Sequence, residues 1–289
     1  MAYSLLVTLR EGLEAGLILA ITLSYLARID QKRYWLHIWL GAAAAFIGSL
    51  VAGIALEATA TTLSGRMLEA LEGGAMLLAV VVLTSMIFWM KGQAVTIGAH
   101  LRRQVDVALR SGSALALAVL AFTAVGREGL ETVLFLFAGS SAADSGSLYW
   151  TGAGAGLAMA SALSYIVYVG AARLPLGAFF NLTGTVLIVL AAGLLVNGLK
   201  ELHEIGTIAS LGPRMWDTYS IIADNSQLGR FLSTILGYDS SPYLGLVVAY
   251  LAYLALALAF FVLGRGRPGQ SPPPSRRLAA NPAFEPREE

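Results

Sequence analysis

The pentapeptide Arg-Glu-Gly-Leu-Glu occurs twice, as Arg10, Glu11, Gly12, Leu13, Glu14 and as Arg127, Glu128, Gly129, Leu130, Glu131. Both copies lie inside long apolar stretches. On a helix, Arg10 and Glu14 are four residues apart and Glu11 and Glu14 three apart, so they neighbour one another on the helix surface. Arg127, Glu128 and Glu131 repeat the pattern. Oxygen ligands suit hard cations such as Mg²⁺, Ca²⁺, Mn²⁺ and Fe³⁺. Four carboxylates against two guanidiniums leave two formal negative charges, which suits a multivalent cation. A single charge at the centre of a bilayer costs about 2.5–3.5 kcal/mol on insertion scales. Six such charges require partners, a water-filled cavity or a bound ion. The competing explanation is that each Arg–Glu pair is an internal ion pair holding helices in register. Between the two, Arg10 and Arg127 are structural and the glutamates alone bind. Gly12 and Gly129 leave room for another backbone, or an ion, to come close.

The elements that carry these residues belong to a membrane protein. The chain is 57% hydrophobic and 13% charged, with a mean hydropathy of +0.70, whereas soluble domains run near 25% charged. Its net charge is +1, which says nothing of partners. It has no cysteine, which removes disulfides and thiolate metal sites. No cleavable signal peptide is expected, because Arg10, Glu11 and Glu14 interrupt the first apolar run. Crossing takes about 20 apolar residues. Seven spans are expected, at roughly 4–26, 36–56, 72–90, 115–137, 149–170, 180–199 and 243–263. They must be helices, since every backbone group in lipid needs an internal partner.

Lysine and arginine set the orientation. Thirteen of them fall in the expected loops 27–35, 91–112 and 171–179 and in the C-terminal tail. The opposite side has Arg66, Lys200, Arg214 and Arg230 only. The N-terminus is therefore expected outside and the C-terminus in the cytoplasm. The opposite side is acidic, with Glu57, Glu69, Asp144, Glu201, Glu204, Asp217, Asp224 and Asp239. Residues 264–289 are Pro-rich and polar and read as a disordered cytoplasmic tail.

The two motifs are 117 residues apart, and each opens a group of three spans, about 1–92 and 114–203. Three spans per copy force the copies into opposite orientations. The expected architecture is an all-α integral membrane protein with an inverted 3+3 repeat and one extra helix, 243–263. Binding sites in such folds sit near the midplane, at the repeat interface. A rise of about 1.5 Å per residue puts all four motif glutamates at similar depth, near that midplane. Small residues on the second and fifth spans, Gly41–Ala45 and Gly152–Gly156, read as ordinary close helix packing. Glu72 opens the third span and Glu201, His203 and Glu204 end the sixth. They would extend a metal path outward, or simply cap helix ends. Met76, Met86 and Met90 read as packing filler. His37 and His100 fall in expected loops.

Two such motifs, in the first and fourth of seven spans, resemble the oxidase-coupled, high-affinity iron permease family, in particular its bacterial EfeU-type members. The resemblance covers about residues 1–263 and includes Leu71-Glu72-Gly73, Phe88-Trp89-Met90, Glu201-Leu202-His203-Glu204 and Leu236-Gly237-Tyr238. It implies that Glu11, Glu14, Glu128 and Glu131 bind iron during passage, with Arg10 and Arg127 as the motif arginines. It also implies a plasma-membrane location, the bacterial inner membrane. Any oxidase or extracytoplasmic iron-binding protein would be a separate chain. Iron, as Fe³⁺ or Fe²⁺, would be substrate rather than permanent cofactor. Related members act on lead, so a permease for lead or manganese is a second reading, and an iron sensor or scaffold without transport a third. No ATP-binding or catalytic motif is present, so an enzyme is not expected, nor is a nucleic-acid partner. Symmetry adds the expectation that Glu11 and Glu128, and Glu14 and Glu131, are functionally equivalent pairs.

Overall fold

The computed structural model describes residues 1–93, 97–110, 113–142, 146–170, 176–224 and 226–263. The chain is helical: α1 Ala2–Arg28, a 3-10 turn at Lys32–Tyr34, α2 Trp35–Thr62, α3 Arg66–Gln93, α4 Ile97–Arg110, α5 Ala114–Ala142, α6 Ser147–Val169, α7 Leu176–Glu204, α8 Gln227–Leu236 and α9 Leu244–Leu263. Among the described residues, the one β feature is an isolated bridge between Arg214 and Tyr243.

Five of these helices, α2, α3, α6, α7 and α9, are long and apolar enough to cross a membrane. The protein is thus a multi-pass helical membrane protein. The helices α1 and α5 match the others in length, but each carries one copy of the charged pentapeptide at its middle. Residues 91–112, expected as a loop, contain α4, and His100 lies on it; His37 lies on α2. Neither histidine is a loop residue. The helix α4 forms because Leu101, Val105 and Ala108 fall on one face and are buried, while Arg102, Arg103 and Arg110 stay exposed on the other. Its 14 residues are too few to cross. The C-terminal tail, Arg173 and Asp144 lie outside the described residues.

The molecule is apolar outside and charged inside. Leu40, Phe46, Ile47, Leu50, Val51 and Ile54 of α2 are exposed, as are Leu251, Leu256 and Phe260 of α9. Ser4, Thr8, Arg10, Glu11, Glu14 and Glu128 are buried. Lipid is as apolar as leucine, so helix association there relies on close packing and hydrogen bonds. The fold uses both. Helix α1 lies along α6, α2 along α5 and α3 along α7, with α9 against α7. A Cβ on Gly156 would sit 2.9 Å from the Leu9 amide, and one on Gly152 would sit 2.5 Å from the Met1 carbonyl. Between them, Ser4 Oγ donates to the Tyr149 carbonyl at 2.7 Å and Thr8 Oγ1 to the Ala153 carbonyl at 2.9 Å. Small residues here serve backbone approach.

The two ends of the bundle differ. At one end Leu23, Leu26, Ile38, Val105, Ala108, Leu117 and Ala121 form a core under α4. At the other, Tyr3 donates to the Phe135 carbonyl at 2.9 Å, and the segment between α7 and α9 folds back over the helices. Lys200 Nζ lies 3.0 Å from Asp239 Oδ2, tying α7 to that segment. The Ser240 amide and hydroxyl donate to Asp224 at 2.8 and 2.6 Å. Gly237 ends α8 at φ +67 and comes within backbone contact of Gly193 on α7.

Two expectations follow from this packing. Gly156→Leu pushes α1 from α6 and should destabilise the detergent-solubilised protein by roughly 1–3 kcal/mol or more, as overpacking does. Gly154→Leu, with nothing within 4 Å of its Cβ position, should leave the melting temperature unchanged. For Asp239, partial burial works to raise the carboxyl pKa. The Ser241 amide and Lys200 outweigh it and hold the group below the ordinary aspartate value. A depressed folded pKa stabilises above the unfolded value, about 3.9, and that contribution fades as pH falls through the lower folded value. Hydrogen-exchange protection factors in residues 226–243, corrected for the intrinsic pH dependence of exchange, should therefore stay constant between pH 7 and about 5 and fall only below about 4; lost protection near neutrality would contradict the tie.

Candidate metal centre

The helices α1 and α5 meet where the two pentapeptides lie. Gly12 and Gly129 let neighbouring helices close on them: a Cβ at Gly12 would sit 2.9 Å from Ala160 Cβ of α6, and one at Gly129 would sit 2.8 Å from Ser49 Cβ of α2. The space that glycine frees is taken by helices. The carboxylates point elsewhere, into the seam between α1 and α5.

Glu11, Glu128 and Glu131 each bring a carboxylate oxygen to within 4.8 Å of the other two. Among the described residues this is the one group of three acidic or histidine side chains close enough to share an ion. Glu11 and Glu128 are each 1% exposed. Glu131 keeps more access, its side chain 17% exposed. Glu14 does not join the triad and instead pairs with Arg10, whose Nη2 lies 3.2 Å from Glu14 Oε1. Alignment there is poor enough that Glu14 Oε1 accepts no hydrogen bond, so the contact is coulombic. Glu11 Oε2, Glu128 Oε2 and Glu131 Oε2 are also buried without a hydrogen-bond donor in the protein. A buried polar atom left unpaired costs about 1–3 kcal/mol, more when charged. Several unpaired carboxylate oxygens around one point are a donor set that could hold a hard cation.

The arginines differ. Arg10 has a side chain 2% exposed, between Glu11 Oε1 at 3.3 Å and Glu14. Its Nη1 also reaches Met86 Sδ at 3.8 Å. Arg127 has a side chain 46% exposed. Its Nε donates to Glu128 Oε1 at 3.1 Å and lies 3.7 Å from Glu131 Oε1. Its guanidinium stands 5.1 Å from the centre of the Trp89 ring. Helix α3 therefore touches both arginines, through Met86 and Trp89. Met86 is thus a contact of the motif as well as filler. Neither contact shows in the sequence, because spacing along the chain carries no sign of a partner 76 residues away.

The outlying carboxylates form a separate group. Glu72 feels the charges of Glu57 and Glu69. Glu201 feels those of Glu204, Glu72 and Glu69. Gly73 packs on Glu201, whose Cβ lies 3.0 Å from where a glycine Cβ would be. These side chains make an acidic rim at the end of the bundle away from α4, outside the three-ligand cluster.

Trp89 should matter to this centre through Arg127. A cation–π contact contributes about 0.5–2 kcal/mol. Trp89→Ala should weaken divalent-cation binding to the purified protein by a few-fold, Trp89→Phe should retain most of it, and Leu130→Ala on the lipid-facing side of α5 should change nothing. Calorimetric titration of the three variants checks the order.

Comparison with known proteins places the chain. The Iron permease FTR1 family model matches residues 1–265. The ferrous iron permease EfeU of Escherichia coli O6:H1 is 36% identical over 260 residues, covering 89% of this chain and 94% of that protein. The protein of the same name from Shigella sonnei is also 36% identical over 260 residues. That of Yersinia pestis is 35% identical over 260 residues, covering 89% of this chain and 92% of its own. No solved structure matches. With a family model spanning nearly its whole length and relatives covered almost end to end, the chain belongs to the Iron permease FTR1 family.

Proposed function

We propose that the protein moves iron into the cell through a midplane site built from its two Arg-Glu-Gly-Leu-Glu motifs. The observation that carries this reading is the triad Glu11, Glu128 and Glu131, drawn from both motif copies, with buried oxygens that lack donors. Glu14 completes the acidic set through its pairing with Arg10. Fe²⁺ is the ion of this reading, since the relatives bear the name ferrous iron permease. The acidic rim of Glu72, Glu201 and Glu204 gathers cations before they descend. An extracytoplasmic oxidase or iron-binding protein would act there as a separate chain.

The proposed frame is seven spans with the inverted repeat. Its support lies in matched contacts. Gly12 meets Ala160 as Gly129 meets Ser49, and Gly16 meets Ser164 as Val133 meets Gly53. Gly152 meets Met1 as Gly41 meets Ala118, and Gly156 meets Leu9 as Gly126 meets Ala45. One shift of 117 residues carries every α1 member onto α5, and one shift of 111 carries every α2 member onto α6. Gly73 of α3 and Gly198 of α7 meet each other, a contact that maps onto itself. Two copies of one three-helix unit around a two-fold axis would pair in this way. Orientation rests on the lysine and arginine asymmetry: N-terminus outside, C-terminal tail in the cytoplasm, in a bacterial inner membrane.

Uptake by the purified protein in sealed vesicles tests the reading. Glu11→Gln, Glu128→Gln and Glu131→Gln keep size and hydrogen-bonding capacity but each remove a charged ligand. Each should lower Fe²⁺ uptake by about tenfold or more, by analogy with losses at metal sites, with protein abundance unchanged. Glu14→Gln should act differently, because it frees Arg10 to pair more fully with Glu11. Normal uptake in a well-folded Glu128→Gln, Glu131→Gln double variant would remove the motif from the mechanism. Iron binding without uptake would make the protein a sensor, and stronger competition from Pb²⁺ or Mn²⁺ would reassign the substrate.

A further inference from the structure

A second polar site lies at the other end of α1, away from the acidic rim. Ser24, Tyr25 and Arg28 from the last turns of α1 and Arg102 from α4 surround a cavity of about 150 Å³. Its floor is apolar, made by Ile21 of α1 and Val167 of α6. Tyr25 Oη donates to Asp106 Oδ1 at 2.6 Å, which pins α4 against α1. The Arg102 guanidinium stands 6.0 Å from the centre of the Tyr25 ring. Among the described residues, neither Arg28 nor Arg102 is in an ion pair. Asp106, the nearby acid, is engaged by Tyr25 and sits one turn along α4 from Arg102. The mouth of the cavity is therefore net positive.

Each arginine has an ordinary explanation alone. Arg28 complements the C-terminal end of the α1 dipole, and Arg102 lies on the solvated face of an amphipathic helix. Neither explains their convergence over an apolar floor. That floor runs into the lipid-facing side of α6, where Tyr165, Ile166 and Val169 are exposed. A soluble anion would gain nothing from Ile21 and Val167, whereas a lipid presents phosphate and hydrocarbon in that order. Arginine forks suit phosphate oxygens, and basic pockets between helices hold anionic headgroups.

We propose that this cavity binds the phosphodiester of an anionic glycerophospholipid. Arg28, Arg102 and the Ser24 hydroxyl hold the phosphate, and the first acyl carbons lie on Ile21 and Val167. The lipid then bridges α1, which carries the first motif, to α4 and α6. The site depends on the membrane location and not on iron transport, so the two readings fail separately.

The test uses the full chain in detergent, titrated with short-chain phosphatidylglycerol, short-chain phosphatidylcholine and inorganic phosphate, and read by native mass spectrometry and melting temperature. Phosphatidylglycerol should bind and raise the melting temperature, with the other two much weaker. Arg28→Gln and Arg102→Gln should each weaken phosphatidylglycerol binding about fivefold, the effect of roughly one juxtamembrane charge. Arg103→Gln, the same charge loss on a different face of α4, should not. If either glutamine variant fails to fold, Arg28→Lys with Arg102→Lys keeps the charge and loses the fork, and should still bind more weakly than wild type. Unchanged affinity in the variant that folds would overturn the proposal. So would equal binding of phosphatidylcholine, an equal shift with inorganic phosphate, or an equal loss in Arg103→Gln.

Discussion

Six charges in the middle of two apolar helices, packed among helices long and apolar enough to cross a membrane, require partners that apolar surroundings do not offer. Much else follows from that requirement. It forces α1 and α5 together in the interior, where Arg10, Glu11, Glu14 and Glu128 are buried. It places α2 and α6 outside them, with apolar faces toward lipid. It also leaves an imbalance that side chains do not correct, since two guanidiniums face four carboxylates and several oxygens have no donor. The cation of the transport reading would supply the missing positive charge. Ion pairing and ion binding are then parts of one electrostatic account rather than rival explanations.

Repetition made the centre legible. A lone Arg–Glu pair on a helix is commonplace, but two copies of one pentapeptide in long apolar runs pointed to Glu11, Glu14, Glu128 and Glu131 together, of which the structure gathers Glu11, Glu128 and Glu131. The long helices were equally legible, because a stretch of about 20 apolar residues has few other uses. The helices α4 and α8 were not, being short and mixed in composition, with signals that look like polar loop in a chain dominated by lipid-facing runs. Met86 and Trp89 were hidden for another reason. Helix periodicity shows which residues share a face, but which helix that face meets is set by packing far along the chain.

Strict symmetry was the expectation that the structure qualifies. Glu131 joins the three-ligand group and its counterpart Glu14 does not; Arg10 is enclosed and Arg127 half-exposed. The cause is α3. Its side chains reach both arginines, with a sulfur against one and an indole against the other. The two copies of the motif therefore meet different residues of the same helix and have two different environments.

The contacts between α1 and α6, and between α2 and α5, are made by glycine, alanine and hydroxyl groups pressed against backbone. Between α1 and α6, Leu13, Leu17 and Leu163 pack beside these small residues, and opening such seams would separate that packing and strand interhelical hydrogen bonds like that from Thr8 to Ala153. Each pair is mechanically one strut. The seam between α1 and α5 is lined instead by flexible glutamates and arginines, whose contacts can be exchanged one at a time. In the transport reading, motion that admits or releases an ion would concentrate at that seam, one strut rocking against the other, with the motif glutamates forming the bearing surface.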